Sequence, residues 1–183
     1  MIRRNIAILL FVLLVSLFTL AGFFYVYQIG GPSNIAKNSL LNEFGKFMGV
    51  VGFFSLVVVY GRSVLKIMIA RDYFWKKLSA SGIDSLKVKN LFGKLLVFLT
   101  RTHAYFGTLA ISTIFLHCYF TYSLRDNVLL ISILFLMLFE GITGIILQFW
   151  NSPKIKIKSY LMHSQLFVGF LILFLALFGH ALL

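Results

Sequence analysis

The stretch RTHAYFGTLAISTIFLHCYF, residues 101–120, decides the fold class and also raises the question of function. It has the length and the apolar character of a membrane-spanning helix, which needs about 20 mostly apolar residues. Two histidines, His103 and His117, lie fourteen residues apart within it. Ionisable side chains are costly inside a membrane and are functional candidates by default, so these two are the first candidates for a site.

The composition of the whole chain is typical of an integral membrane protein. Of its 183 residues, 60% are hydrophobic and only 12% are charged, whereas soluble domains are roughly 45–50% apolar and about 25% charged. The net charge of +12 could indicate a nucleic-acid partner. However, the lysines and arginines occupy the gaps between apolar runs, where they act as topology signals. We therefore predict a lipid bilayer as the partner, and no nucleic acid.

Five apolar segments predict an all-α integral membrane bundle of five transmembrane helices. They cover residues 6–28, 44–68, 95–123, 128–150 and 160–183. The longest polar segment, residues 70–90, is expected to hold an amphipathic interfacial helix, and residues 151–159 are expected to form a loop. We expect two parts, an N-terminal helix with its outer loop (residues 1–43) and a four-helix core (residues 44–183).

The basic residues of the loops predict the orientation of the bundle. Eleven of them lie at the N-terminus or in the loops after the second and fourth segments, whereas the other side has three, Lys37, Lys46 and Arg125. The positive-inside rule then places the N-terminus in the cytoplasm and the C-terminus outside. This predicts a multi-pass protein of a bacterial inner (cytoplasmic) membrane.

The chain has four histidines, and they fall on two predicted helices that run in the same direction. His103 and His163 are expected near the cytoplasmic face, and His117 and His180 near the outer face. At ~1.5 Å rise and about 100° per residue, His103 and His117 are roughly 21 Å apart and only ~40° apart in direction. The seventeen residues from His163 to His180 fit one face less well, with an offset of ~100° in a straight helix.

Two stacked pairs of neutral imidazoles are what two haem groups require. Bis-histidine ligation fills both axial positions of haem iron, which favours electron transfer over oxygen binding, and helix bundles commonly hold cofactors between facing helices. We predict two b-type haems, an inner one held by His103 and His163 and an outer one held by His117 and His180.

Other residues are expected to serve these haems. Arg101 and Arg62 are candidates to pair with the propionates of the inner haem, although simple snorkelling to the interface explains them equally well. Small residues are expected to give the porphyrins room, namely Gly107, Ala110, Gly169, Gly179 and Ala181. Glu140 is the only acid deep in an apolar run. It must be protonated, paired or near the interface, and a proton or quinone role is open to it.

The segment HAYFGTLAISTIFLH, together with His163 and His180 on the next parallel helix, resembles the ferric reductase-like transmembrane domain. Ferric reductases, NADPH oxidases and haem-binding partner subunits of sulfoxide reductases share that domain. The segment GKFMGVVGFFSLVVVYGR, residues 45–62, is similar in style to its preceding helix. The resemblance covers roughly residues 44–183 and implies two b-type haems held by histidine pairs on the third and fifth helices. The second pair, H-x16-H, is longer than the family spacing.

The predicted function is that of a di-haem b-type cytochrome that carries electrons across the membrane. Because the sequence contains no G-x-G-x-x-G motif and no flavin domain, we expect redox protein partners or subunits on one or both faces, within an oxidoreductase complex. Two alternatives stay open. One is a quinone-reactive cytochrome b anchor subunit of a larger oxidoreductase, and the other is a haem-free proton or solute transporter subunit.

Overall fold

A computed structural model describes residues 2–28, 39–121, 128–150, 152–163 and 166–181. Within these ranges the chain forms seven α-helices and no strand, which confirms the all-α fold class. The helices are α1 (Ile2–Gln28), α2 (Ser39–Ala70), α3 (Asp72–Ala80), α4 (Ser85–Phe120), α5 (Val128–Phe149), α6 (Pro153–His163) and α7 (Leu166–Ala181).

The helix α4 carries the first two histidines and is longer than predicted. It starts at Ser85 rather than near residue 95, because Asp84 caps it by accepting a hydrogen bond from the Lys87 backbone N–H at 3.1 Å. Gly82, in the turn before it, has a φ of 77°, a left-handed conformation that favours glycine. The 36 residues of α4 span about 54 Å at ~1.5 Å per residue.

The C-terminal part of the chain differs from the prediction. Residues 151–159 were expected to form a loop, but α6 begins at Pro153 and takes up most of that segment. Proline is favoured at the first position of a helix, and the lysines and isoleucines that follow are compatible with a helix. The fifth predicted helix, residues 160–183, is therefore two helices, and His163 is the last residue of the first. The helix expected within residues 70–90 is α3.

A row of glycines on α2 holds that helix against α4. A Cβ at Gly45, Gly49 or Gly52 would lie 2.5–2.9 Å from side-chain atoms of α4. Gly45 faces Phe120, Gly49 faces His117, and Gly52 faces Thr113 and Ile114. The residue numbers on α4 therefore decrease as those on α2 increase. The two helices are therefore antiparallel, and the Gly45–Gly49 spacing that predicted close packing does contribute to it.

The hydrophobic core lies where α2, α4, α5 and α7 meet. Its buried members come from all four helices and include Leu56, Ala110, Ile133, Met137 and Ile172, which is fully buried. The ring of Tyr60 on α2 occupies the space that a side chain at Gly169 on α7 would need, which lets these two helices approach closely.

Two of the described helices are long and apolar enough to cross a membrane. These spans are Leu40–Ala70 and Val128–Phe149, and further apolar helical stretches are Ile6–Gly22 within α1 and Phe167–Phe178 within α7. The helix α4 does not meet the same criterion, because its histidines, threonines and tyrosines lower the hydropathy of the stretch quoted above. The five-span arrangement and its orientation therefore stay predictions.

Candidate cofactor site

His103 and His163 meet at one end of the bundle. The Nε2 atoms of the two rings are 3.5 Å apart, the ring centroids are 5.7 Å apart, and the ring planes are inclined at 81°. Because the nitrogens are much closer than the centroids, both Nε2 atoms lie between the rings, which point at each other tip to tip. The structure thus brings together the two histidines that were predicted to share one depth.

The hydrogen bonds of His163 determine which of its nitrogens carries the proton. Its Nδ1 lies 3.0 Å from the peptide oxygen of Glu140, and a peptide oxygen can only accept. Nδ1 is therefore the protonated nitrogen and donates to that oxygen. In the neutral ring, the lone pair is then on Nε2, the atom that faces His103.

The carboxylate of Glu140 is a second acceptor for the same N–H group. Its Oε2 lies 3.1 Å from Nδ1 of His163, and the Glu140 side chain is only 14% exposed. The hydroxyl of Thr143 lies 3.4 Å from the same nitrogen. Glu140 stood out in the sequence as an acid in an apolar run. Its partner could not be read from the sequence, because the two residues are on different helices.

His103 has fewer polar contacts than His163. Its Nδ1 is buried and has no hydrogen-bond partner among the described residues. One turn before it on α4, Thr100 accepts a hydrogen bond from Nε of Arg62 at 3.3 Å. Arg62 therefore lies beside the helix that carries His103, whereas the neighbouring Arg101 is exposed. The propionate role of both arginines stays a prediction.

His117 lies toward the other end of the α2–α4 pair. Its Nδ1 is 2.9 Å from the peptide oxygen of Gly45, so this nitrogen also carries the proton and donates. In the neutral ring, Nε2 then holds the lone pair. His180 is within α7, but its side chain lies outside the described residues. The pairing of His117 with His180 therefore stays a prediction.

Gly49 and Gly144, on helices that neighbour the histidines, leave space for the rings of His117 and His163; we call these two positions the seats of the rings. A Cβ at Gly49 on α2 would lie 2.7 Å from Nδ1 of His117, and a Cβ at Gly144 on α5 would lie 3.0 Å from Cε1 of His163. Sequence reasoning assigned Gly49 to helix packing and did not single out Gly144. The seats become visible only when the neighbouring helices are in place.

The small residues that were expected to give the porphyrins room have different surroundings in the structure. Among the described residues, nothing outside the local backbone of α4 lies within 4 Å of a Cβ built at Gly107, one turn after His103, so this position has open space beside it. Ala110 is instead 1% exposed in the hydrophobic core, and the space beside Gly169 is filled by Tyr60. In this packing Ala110 and Gly169 contact protein side chains, and their role beside a porphyrin stays a prediction. The surroundings of Gly179 and Ala181 lie outside the described residues.

The His103–His163 pair has the donor set that haem iron takes from a protein. The two Nε2 atoms face each other at 3.5 Å, so both rings present a nitrogen to the same point between them. A tetrahedral zinc site needs more protein ligands, and the described residues include no group of three or more His, Cys, Asp or Glu side chains placed for a metal.

Comparisons with known proteins give no match for this chain among family models, curated proteins or solved structures. A functional proposal therefore depends on the histidine geometry, the apolar surface and the distribution of charges.

Proposed function

We propose that this chain is a multi-pass membrane cytochrome with two b-type haems, which carries electrons between partners on the two faces of the membrane. His103 and His163 hold the inner haem, and His117 and His180 hold the outer one. The observation that carries the proposal is the tip-to-tip contact of His103 and His163, in which the lone pair of His163 faces its partner.

The two-ligand arrangement favours haem over a bare metal ion. A haem would need only two ligands from the protein, and His103 and His163 would supply them at the inner site. It would supply reversible one-electron chemistry at iron. The chain supplies ligation, orientation and an apolar surrounding. Arg62 and Arg101 are close in sequence or space to His103 and are the candidates for the propionates.

The surface of the helices supports a membrane location. The two candidate spans have only 22% and 28% of their apolar windows buried, whereas the core helix of a soluble protein is mostly buried. Large apolar side chains on α1, α2, α5 and α7 face outward, among them Leu14, Phe54, Phe135 and Leu177. A lipid bilayer covers such a surface without cost. With the positive-inside charges, this supports five spans in a bacterial inner membrane, with the N-terminus inside.

The test is a reduced-minus-oxidised absorbance spectrum of the purified protein, combined with haem quantification. We expect about two haems per chain. The variants His103→Ala and His163→Ala should each lose the same haem, and His117→Ala and His180→Ala should each lose the other. Thr108→Ala is the matched control, because Thr108 is on α4 and its hydroxyl donates to the peptide oxygen of Ala104 within its own helix. Wild-type protein without a Soret band would overturn the proposal.

The same preparation separates the two alternatives. In the quinone-reactive anchor, Glu140 is a candidate for the quinone site, and its carboxylate accepts from His163. Rapid reduction of the haems by an added quinol would favour this alternative. A folded protein without haem would favour a transporter subunit.

A further inference from the structure

The two histidines of the inner pair have very different surroundings. The Nδ1–H group of His163 has a peptide oxygen at 3.0 Å and a carboxylate oxygen at 3.1 Å, both from Glu140. The corresponding nitrogen of His103 is buried and has no partner among the described residues. A hydrogen bond from a ligand histidine to a carboxylate fixes the orientation of the ring. It also makes the other ring nitrogen more basic, so that this nitrogen donates its electron pair to a metal more strongly. The inner pair is therefore asymmetric.

Glu140 is also placed to act through its charge. Its side chain is only 14% exposed, and its second oxygen, Oε1, is buried without a hydrogen-bond partner among the described residues. Electrostatic effects are much stronger at such a site than in water, because the surroundings have a low dielectric constant. A carboxylate behind His163 favours the oxidised state of the site, since that state carries one more positive charge at the metal.

We propose that Glu140 is a positioning residue for His163 that lowers the midpoint potential of the haem held by His103 and His163. This inference rests on the proposed function. The peptide oxygen of Glu140 sets the tautomer of His163, and the carboxylate adds the charge. The two contributions can be separated by mutation, because a side-chain substitution leaves the peptide oxygen in place.

The experiment is a potentiometric titration of the full-length, haem-loaded protein, followed by absorbance. The variant Glu140→Gln keeps the size of the side chain and a hydrogen-bond acceptor but removes the charge. We expect it to retain two haems and to raise one of the two midpoint potentials. The shifted haem should be the one that His103→Ala loses, and Glu140→Asp, which restores the charge, should bring the potential back toward the wild-type value.

The control variant is Glu43→Gln, which removes the same charge at an exposed position where Glu43 pairs with Lys46. It should leave both potentials unchanged. Unchanged potentials in Glu140→Gln would overturn this inference while leaving the di-haem proposal intact. Loss of the inner haem from both Glu140→Gln and Glu140→Asp would also overturn it, because the side chain would then be needed for assembly rather than for potential. A wild-type protein without haem would instead overturn the proposed function.

Discussion

At the scale of single residues, His117 and His163 each donate a hydrogen bond to a peptide oxygen of a neighbouring helix, and the carboxylate of Glu140 is a further acceptor for His163. His117 donates to the peptide oxygen of Gly45, and His163 donates to that of Glu140. Gly49 and Gly144 leave room for the two rings. Peptide oxygens and glycines have no rotamers to choose among, so the rings gain a fixed direction at little cost in side-chain entropy.

The seat at Gly49 can be tested directly. In Gly49→Ala, the new methyl group would lie 2.7 Å from Nδ1 of His117, so the ring must move away from the Gly45 peptide oxygen. Overpacking of this kind costs about 1–3 kcal/mol. We expect a lower midpoint temperature of thermal unfolding in detergent and loss of the haem that depends on His117.

The control for this variant is Gly61→Ala on the same helix, where a Cβ would meet no neighbouring atom within 4 Å among the residues that the structure describes. Its midpoint temperature of thermal unfolding should be no lower than that of the wild type, since alanine favours a helix more than glycine does. Equal behaviour of the two variants would contradict the role of Gly49 as a seat.

At the scale of elements, the hairpin formed by α3 and α4 depends on a few polar contacts. Asp84 caps α4, and Trp75 on α3 donates from Nε1 to the Ile69 peptide oxygen at 3.2 Å. The Trp75 ring also packs against Phe92 and lies 5.8 Å from Nζ of Lys89. These contacts hold the basic segment between α2 and the histidine helix in a defined place.

The cap of α4 leads to a prediction about local stability. Asp84→Ala removes the acceptor for the Lys87 N–H group and should destabilise the start of the helix by about 0.5–2 kcal/mol. Asp84→Asn should behave almost like the wild type, because asparagine caps a helix equally well. Amide hydrogen exchange of residues 86–89 measures the effect. Fast exchange in both variants would mean that the charge of Asp84, rather than its hydrogen bond, stabilises the helix.

At the scale of the whole molecule, two cations of α2, Arg62 and Lys66, lie at the end of the bundle where the inner pair meets. Arg62 donates to Thr100, and Nζ of Lys66 donates to the Tyr160 hydroxyl at 3.1 Å, which links the end of α2 to α4 and α6. His103 is on α4 and His163 is on α6, so the inner pair joins the same two helices that these cations contact. The proposed orientation puts this end of the bundle in the cytoplasm.

Cysteine labelling tests that orientation. In a Cys118→Ala background, which removes the one native thiol, Lys46→Cys and Lys77→Cys place single thiols at exposed positions on opposite sides of the proposed membrane. A membrane-impermeant maleimide should label Lys46→Cys in intact spheroplasts and should label Lys77→Cys only after permeabilisation. The reverse labelling pattern would show that the bundle has the opposite orientation, with the His103–His163 pair at the outer face.

The sequence by itself determined the all-α class and the approximate positions of the apolar segments, and it singled out the four histidines as candidates. Those features depend on composition and helical period, which are local properties of the chain. It also predicted that His103 and His163 lie together, because the order and direction of the apolar segments restrict which positions can meet.

Only the tertiary structure decided how those histidines are held. The contact between Glu140 and His163, the seats at Gly49 and Gly144, and the burial of Ala110 all depend on the rotation and separation of neighbouring helices. The division of the C-terminal segment into α6 and α7 also appeared only there. These features depend on side-chain packing between residues that are far apart in the chain, and a periodic pattern of apolar residues specifies which face is buried but not what it contacts.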